Sequence, residues 1–214
     1  MSEPNTTKNK IMDASERLFA QNGYHRTSLR EITASAGANL AAVNYHFGSK
    51  ENLFESILQR RITPLNQIRE ERMHHVIETA KTKNSLPDVE KLLRAFVEPT
   101  LEFISNTPGS LDFFIIINRC TMESSGIQKN CFMKLMQPTL MKFYHPLCES
   151  LPHLSKELVF MRFMFAIGSM VNTIRMLKMV DQIAEKDMVI PENIDFSIIN
   201  EELIKFITSG MENS

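Results

Sequence analysis

Glycine is scarce in this chain, with seven residues in 214. So few cheap left-handed turn positions, with few Pro-rich or Ser-rich runs, point to helices rather than β-meanders. Cysteine is scarcer still. Cys120, Cys131 and Cys148 are odd in number and widely spaced, and they form no Cys-x-x-Cys pair. That pattern argues against a zinc or redox site and suits a reducing cytoplasm. Long apolar runs are lacking too. The uncharged, apolar-rich stretch over residues 163–174 is only twelve residues long and bounded by Arg162 and Arg175. A membrane span needs ~20 apolar residues, so a buried helix is expected there and no membrane partner. The N-terminal residues carry no apolar signal core, so a cytoplasmic protein is expected. No Gly-rich phosphate loop, Ser/His/Asp signature or paired catalytic carboxylates can be found, and no enzymatic activity or cofactor is expected. His74 and His75 are adjacent, so on a helix they cannot chelate from one face, and no metal site is expected.

What is present is a chain long enough for one or two domains with a sizeable core. The net charge of −1 hides a split. Residues 1–65 hold eight Lys/Arg against six Asp/Glu, and residues 66–214 hold sixteen against nineteen. The small positive excess suits a phosphate-contacting face but is too slight to argue nucleic-acid binding alone.

Residues 27–50 carry that argument. Ser28 is placed to cap a helix, and Glu31 completes a capping box. Leu29, Ile32 and Ala36 fall on one face, and Gly37 stops the helix. Asn39 caps a second helix through Leu40-Ala41-Ala42-Val43-Asn44-Tyr45-His46. Gly48 ends it, and Ser49 caps the helix that begins at Lys50. Two helices joined around a glycine form a helix-turn-helix, whose second helix enters the DNA major groove. Upstream, a helix over residues 7–22 should place Ile11, Ala14, Leu18 and Phe19 against Ile32, Val43 and Phe47.

The segment 44–50, Asn-Tyr-His-Phe-Gly-Ser-Lys, resembles the end of the recognition helix in the TetR family of bacterial transcription regulators. Residues 11–28 are similar to that family's first helix and its exit, and the likeness covers residues 7–60. The variant Asn39-Leu-Ala-Ala-Val-Asn-Tyr-His-Phe, with Pro64-Leu-Asn, resembles a subgroup that includes fatty-acid-responsive members. The resemblance implies an all-α homodimer that binds a palindromic double-stranded operator, acts as a repressor, and is released by a small effector.

By chemistry, Asn44 is the candidate for a base edge, and Tyr45 reaches a base or a phosphate. Leu40, Ala41 and Ala42 offer apolar contacts, and Asn39 stands at the helix start. Many family members carry a polar or basic residue where Leu40 stands, so base readout is expected to lean on Asn44 and Tyr45. Thr27, Ser28, Tyr45, His46 and Lys50 are the expected phosphate partners, from the resemblance and from chemistry, and Phe47 is read as packing. Residues 1–48 are expected to form the DNA-binding domain, with the motif over 28–47. Residues 49–64 form a connecting helix that Pro64 breaks or kinks. Residues 65–214 form the effector and dimer domain.

That last region is rich in soft apolar side chains suited to an adaptable pocket. Phe103, Phe114, Met122, Phe132, Met136 and Phe163 are candidate lining residues for a lipophilic effector. Arg119 and Arg175, beside apolar runs, are candidates for an acidic head group. Helices are expected over residues 65–81, from a turn and cap at 84–88 to about 105, 113–117 with their flanks, 126–150, 155–180 and 196–211, and a loop over 185–195. In the last helix Phe196, Ile199, Leu203, Phe206 and Ile207 share a face. The helices over 155–180 and 196–211 are expected to pair with their copies across a two-fold axis. Two rival readings stand beside this one. One is a helical ligand-binding protein whose N-terminal part serves protein contact, and the other is an enzyme built on a helical cavity.

Overall fold

The computed structural model describes residues 6–122, 126–183 and 196–213, with side chains described except at 177–183 and 196. The loop expected over 185–195 lies outside the described residues. Among the described residues all regular structure is helical: α1 (Thr7–Asn22), α2 (Leu29–Ala36), α3 (Leu40–Phe47), α4 (Lys50–Thr82), α5 (Val89–Asn106), α6 (Ser110–Met122), α7 (Ile127–Ser150), α8 (Lys156–Ile183) and α9 (Phe196–Glu212). The chain forms two compact units. The first comprises Met1–Asn66 and Ile104–Pro138, and the second Gln67–Phe103 and Thr139–Ser214.

In the first unit α1 packs on α2, α3 and α6. Ile11, Ala14 and Phe19 of α1, Ile32 of α2, and Val43 and Phe47 of α3 are all buried, as the spacing predicts. Leu53, Phe54, Ile57 and Leu58 of α4 join them. Tyr24 closes the aromatic part, edge-on to Phe54 with centroids 5.1 Å apart and tilted on Phe19 at 5.6 Å. The buried Glu16 carboxylate ties α1 to α4. Its Oε2 accepts from Arg60 Nη2 at 2.8 Å, and its Oε1 accepts from Arg61 Nη2 at 2.8 Å.

Two sequence expectations are corrected here. Pro64 does not break the chain but lies inside the 33-residue α4. The missing N–H and the ring clash cost about 3 kcal/mol in a free helix. Burial of Ile57, Leu58, Ile62 and Leu65 around the proline offsets that cost. The apolar stretch 163–174 is not wholly buried either, since Met164 and Phe165 are exposed. On α8, Val159, Phe163, Ala166, Met170 and Ile174 form one buried stripe, while Phe160, Met161, Met164 and Phe165 are exposed. Lys156–Met176 is long and apolar enough to cross a membrane by length and composition. A helix that is apolar on two faces passes that test as well as a lipid-facing one.

In the second unit Phe96 of α5 is edge-on to Phe143 of α7 and Phe163 of α8, with centroids at 5.1 and 5.4 Å. Arg69 of α4 is buried beside them. It donates to Phe96 O at 3.0 Å and Thr100 Oγ1 at 2.6 Å, with its guanidinium 4.3 Å from the Phe96 ring centre. Burial pulls this guanidinium down to about 9. Helix α9 packs on α8. Leu203, Ile204, Ile207 and Met211 form its buried stripe. Phe206, expected on that stripe, is 69% exposed instead, because Ile204 takes the inward position.

Candidate nucleic-acid interface

Each helix of the motif is fixed at its ends by the residues that the spacing selects. The Ser28 backbone N–H donates to Glu31 Oε2 at 2.6 Å, and the Glu31 N–H donates to Ser28 Oγ at 3.2 Å. This reciprocal box starts α2, and the Ser28 N–H holds the Glu31 carboxylate below its ordinary range. Gly37, at φ 60°, supplies the left-handed residue that stops α2. Asn39 Oδ1 accepts from the Ala42 N–H at 2.9 Å and starts α3. Beyond α3, Asn52 Nδ2 donates to Phe47 O at 3.0 Å, and Ser49 Oγ accepts the Asn52 N–H at 3.1 Å to start α4.

Helix α3 is therefore held from both ends and from beneath by Val43 and Phe47. Its outer surface presents Asn39, Leu40, Ala41, Asn44, Tyr45 and His46, all exposed, with Ala42 half-buried. Tyr45 is 86% exposed and stands edge-on to His46 with centroids 5.0 Å apart. An aromatic left that bare on a small domain gains nothing for the fold, since its ring buries almost no area. The patch offers an amide, a phenol, an imidazole and methyl groups on one short helix, which is what reading a base edge needs.

Lys50 sits at the start of α4, half-buried. Its Nζ donates to Tyr24 O at 2.5 Å and lies 4.4 Å from the Tyr24 ring centre. Partial burial pulls its ammonium below the ordinary lysine value, against the Glu31 carboxylate, which pulls the other way. One bond to a carbonyl leaves two ammonium protons for a phosphate.

Thr27 departs from its expected role. It is 1% exposed, and its hydroxyl lies 2.9 Å from Gly23 O and 3.2 Å from Leu18 O. The side chain clasps the loop between α1 and α2 and is not a free phosphate donor. The sequence reading passed over His25, Arg26 and Arg30, which are exposed beside that loop and the start of α2. Their signal was simply cationic side chains flanking the Thr-Ser pair.

The expected effector residues divide between the two units. Phe114, Arg119, Met122, Phe132 and Met136 belong to the first unit, and Phe103, Phe163 and Arg175 to the second. Phe114, Met136 and Phe163 are buried, Phe103 and Phe132 half-buried, and Arg175 exposed. Arg119 and Met122 line a cleft of about 370 Å³ with Asn22, Gly23, Tyr24, His25, Arg26, Asn118 and Gln128. Arg119 is engaged with α1, donating to Phe19 O at 3.1 Å and Gln21 O at 3.4 Å.

Comparison with known proteins agrees with this geometry. The chain is 28% identical over 120 residues to the transcriptional repressor BepR of Brucella suis, covering 56% of this chain and 53% of BepR. It is 42% identical over 55 residues to the transcriptional regulator AcrR of Shigella flexneri, covering 26% of each. The chain thus matches about half or less of the length of these curated relatives. Among solved structures, the transcriptional regulator FadR of Bacillus subtilis, in complex with stearoyl-CoA, superposes with a TM-score of 0.67 at 16% identity. That match covers 94% of this chain and 98% of FadR. The family model for bacterial regulatory proteins of the tetR family matches residues 11–57. The model for the tetracyclin repressor-like C-terminal domain matches residues 94–210. With helix-turn-helix geometry in place and more than half of its length matched, this chain belongs to the TetR family of bacterial regulatory proteins.

Proposed function

We propose that this protein is a DNA-binding transcriptional repressor that binds a palindromic operator as a homodimer and is released by a small lipophilic effector. The observation that carries the reading is the outer face of α3. Asn44, Tyr45 and His46 stand exposed there on a helix whose inner face and both ends are fixed. In this reading Asn44 bonds a base edge, Tyr45 meets a base or a phosphate, and Leu40, Ala41 and Ala42 offer apolar contacts such as a thymine methyl. His46 and Lys50 hold phosphates and set the register, Asn39 contributes the NH2 of the amide whose oxygen caps α3, and the Ser28 hydroxyl, which donates to Glu31 Oε2 at 2.8 Å, orients the start of α2. The repressor role follows from relatives named as repressors, such as BepR.

The dimer is supported by a second apolar face. Phe160, Met161, Met164 and Phe165 on α8 and Phe206 on α9 remain exposed in the single chain. Packing α8 and α9 on their copies makes a four-helix interface and removes this surface from water. Two-fold symmetry then sets two copies of α3 about one helical turn of DNA apart, on a palindrome. The effector is held by the helices of residues 65–214, with Phe103 and Phe163 of the second unit as candidate apolar residues and Arg175 a candidate cation. The lipophilic class is supported by the apolar composition and by FadR, a protein of the same fold solved with stearoyl-CoA. The effector acts by favouring a dimer in which the two reading helices are wrongly spaced. The protein works in the cytoplasm.

The test is binding of genome fragments to purified protein. Enrichment of one palindrome at physiological salt supports the reading. Weak binding without sequence preference, abolished by salt, contradicts it. For the effector, failure of a fluorescent fatty-acid probe to bind at micromolar concentration sinks the lipophilic class.

A further inference from the structure

We propose that Arg119 is a positioning residue for DNA binding: it fixes the α1–α2 loop and, through Tyr24, the Lys50 ammonium. The proposal rests on the DNA-binding reading above. The last turn of a helix leaves its C=O groups without helical partners. At the end of α1, Phe19 O accepts the Gly23 N–H at 2.9 Å and the Arg119 guanidinium at 3.1 Å. Gln21 O is reached by Arg119 at 3.4 Å, and Leu18 O by the Thr27 hydroxyl at 3.2 Å. Arg119 thus supplies from α6 part of a cap that the chain after α1 cannot make alone. A cation at this end also meets the negative end of the helix dipole.

Gly23 makes the approach possible. A Cβ at this position would stand 2.9 Å from Arg119 Nη1, and its φ of 84° is one that only glycine adopts without strain. The glycine that ends α1 therefore also lets the guanidinium lie against the backbone. The next residue, Tyr24, is where the cap meets the DNA face. Its ring rests on Phe19 and Phe54, its carbonyl accepts from Lys50, and its ring lies beneath the Lys50 ammonium. Loss of Arg119 takes a donor from Gln21 O and leaves Phe19 O with the Gly23 N–H, and so loosens the end of α1 and the support under Lys50. Arg119 itself touches no DNA in this account.

A double-mutant cycle on the full-length dimer separates this from a general loss of stability. The operator fragment from the selection above is titrated across salt with wild type, Lys50→Ala, Arg119→Ala and the double variant. Lys50→Ala should weaken binding and lower the salt slope by about one. Arg119→Ala should weaken binding about threefold to tenfold and lower the slope in the same direction. The double variant should bind no more weakly than Lys50→Ala alone. Effects that multiply in the double variant, or wild-type binding by Arg119→Ala, overturn the proposal. If Lys50→Ala itself changes nothing, the phosphate assignment has failed first and this proposal falls with it. Circular dichroism and melting report folding. Should Arg119→Ala not fold, the same cycle is run with Arg119→Lys, which keeps the charge but cannot span both carbonyls, and the same two outcomes decide.

Discussion

Tyr45 is almost fully exposed, and that sets what its loss should do. Tyr45→Ala should leave the melting temperature unchanged, because exposed substitutions away from caps and cores stay within about 0.5 kcal/mol. Operator affinity should fall about tenfold, the loss of one good contact worth about 1.4 kcal/mol. A melt and a titration on the same preparation check both halves. Ser28→Ala should behave in the opposite sense at its first effect, destabilising the fold by about 1 kcal/mol through loss of the box that starts α2. The same box predicts a pH dependence. Glu31 ionises below its ordinary value in the folded state, so its contribution to stability is fully present above the unfolded-state value near 4.5. It is lost as pH falls through the lowered folded value. The melting difference between wild type and Glu31→Gln should therefore be constant at neutral pH and shrink as pH falls below the unfolded-state value of 4.5 toward the lowered folded one. At this scale the caps were legible in the sequence, since Ser28, Asn39 and Ser49 each precede a helix with the right partner three residues on. The role of Thr27 was not. A threonine before a serine reads as a polar loop residue, and only the fold shows that two α1 carbonyls draw its hydroxyl inward.

Elements tell the same story with a different limit. Helices α1, α2 and α3 follow from capping and 3.6-residue periodicity, and the structure reproduces their bounds within a residue or so. Pro64 was misleading, because a local signal for a break competes with burial on both sides of it, which spacing alone cannot weigh. Arg69 was invisible for the same reason. It sits among polar neighbours in sequence, and its burial comes from α5 folding over it. The junction of α1 with α4 gives this scale its prediction. Glu16 is buried between Arg60 and Arg61, so Glu16→Gln removes the carboxylate that both guanidinium groups share and leaves Arg60 its 2.6 Å pair with Asp13. The loss of one partner from a buried pair costs on the order of 3 kcal/mol, discounted here because both arginines keep some contact with water. Chemical denaturation should show a lower midpoint with an unchanged slope.

For the whole molecule, composition and the N-terminal motif made the all-α class and the family legible, while the C-terminal residues could be assigned only in bulk. Twelve Met and eleven Phe over residues 65–214 mark a region with much apolar surface to bury. They do not say which side chains face a core, a ligand or a second copy. Phe163 and Phe165 are two residues apart on one helix, yet the first is buried and the second is 70% exposed. Phe165→Glu together with Phe206→Glu should split the proposed dimer, seen as a halved mass in sedimentation. A monomer should lose most of its affinity for a palindrome while each half-site contact stays intact. The central claim is that α3 reads a specific DNA sequence, and the most direct measurement is selection of genome fragments followed by titration of each enriched fragment in rising salt. One palindrome should be retained at physiological salt, its affinity cut by Tyr45→Ala and its salt slope lowered by about one in Lys50→Ala. Binding that shows no sequence preference, vanishes with salt and ignores both substitutions would contradict that claim.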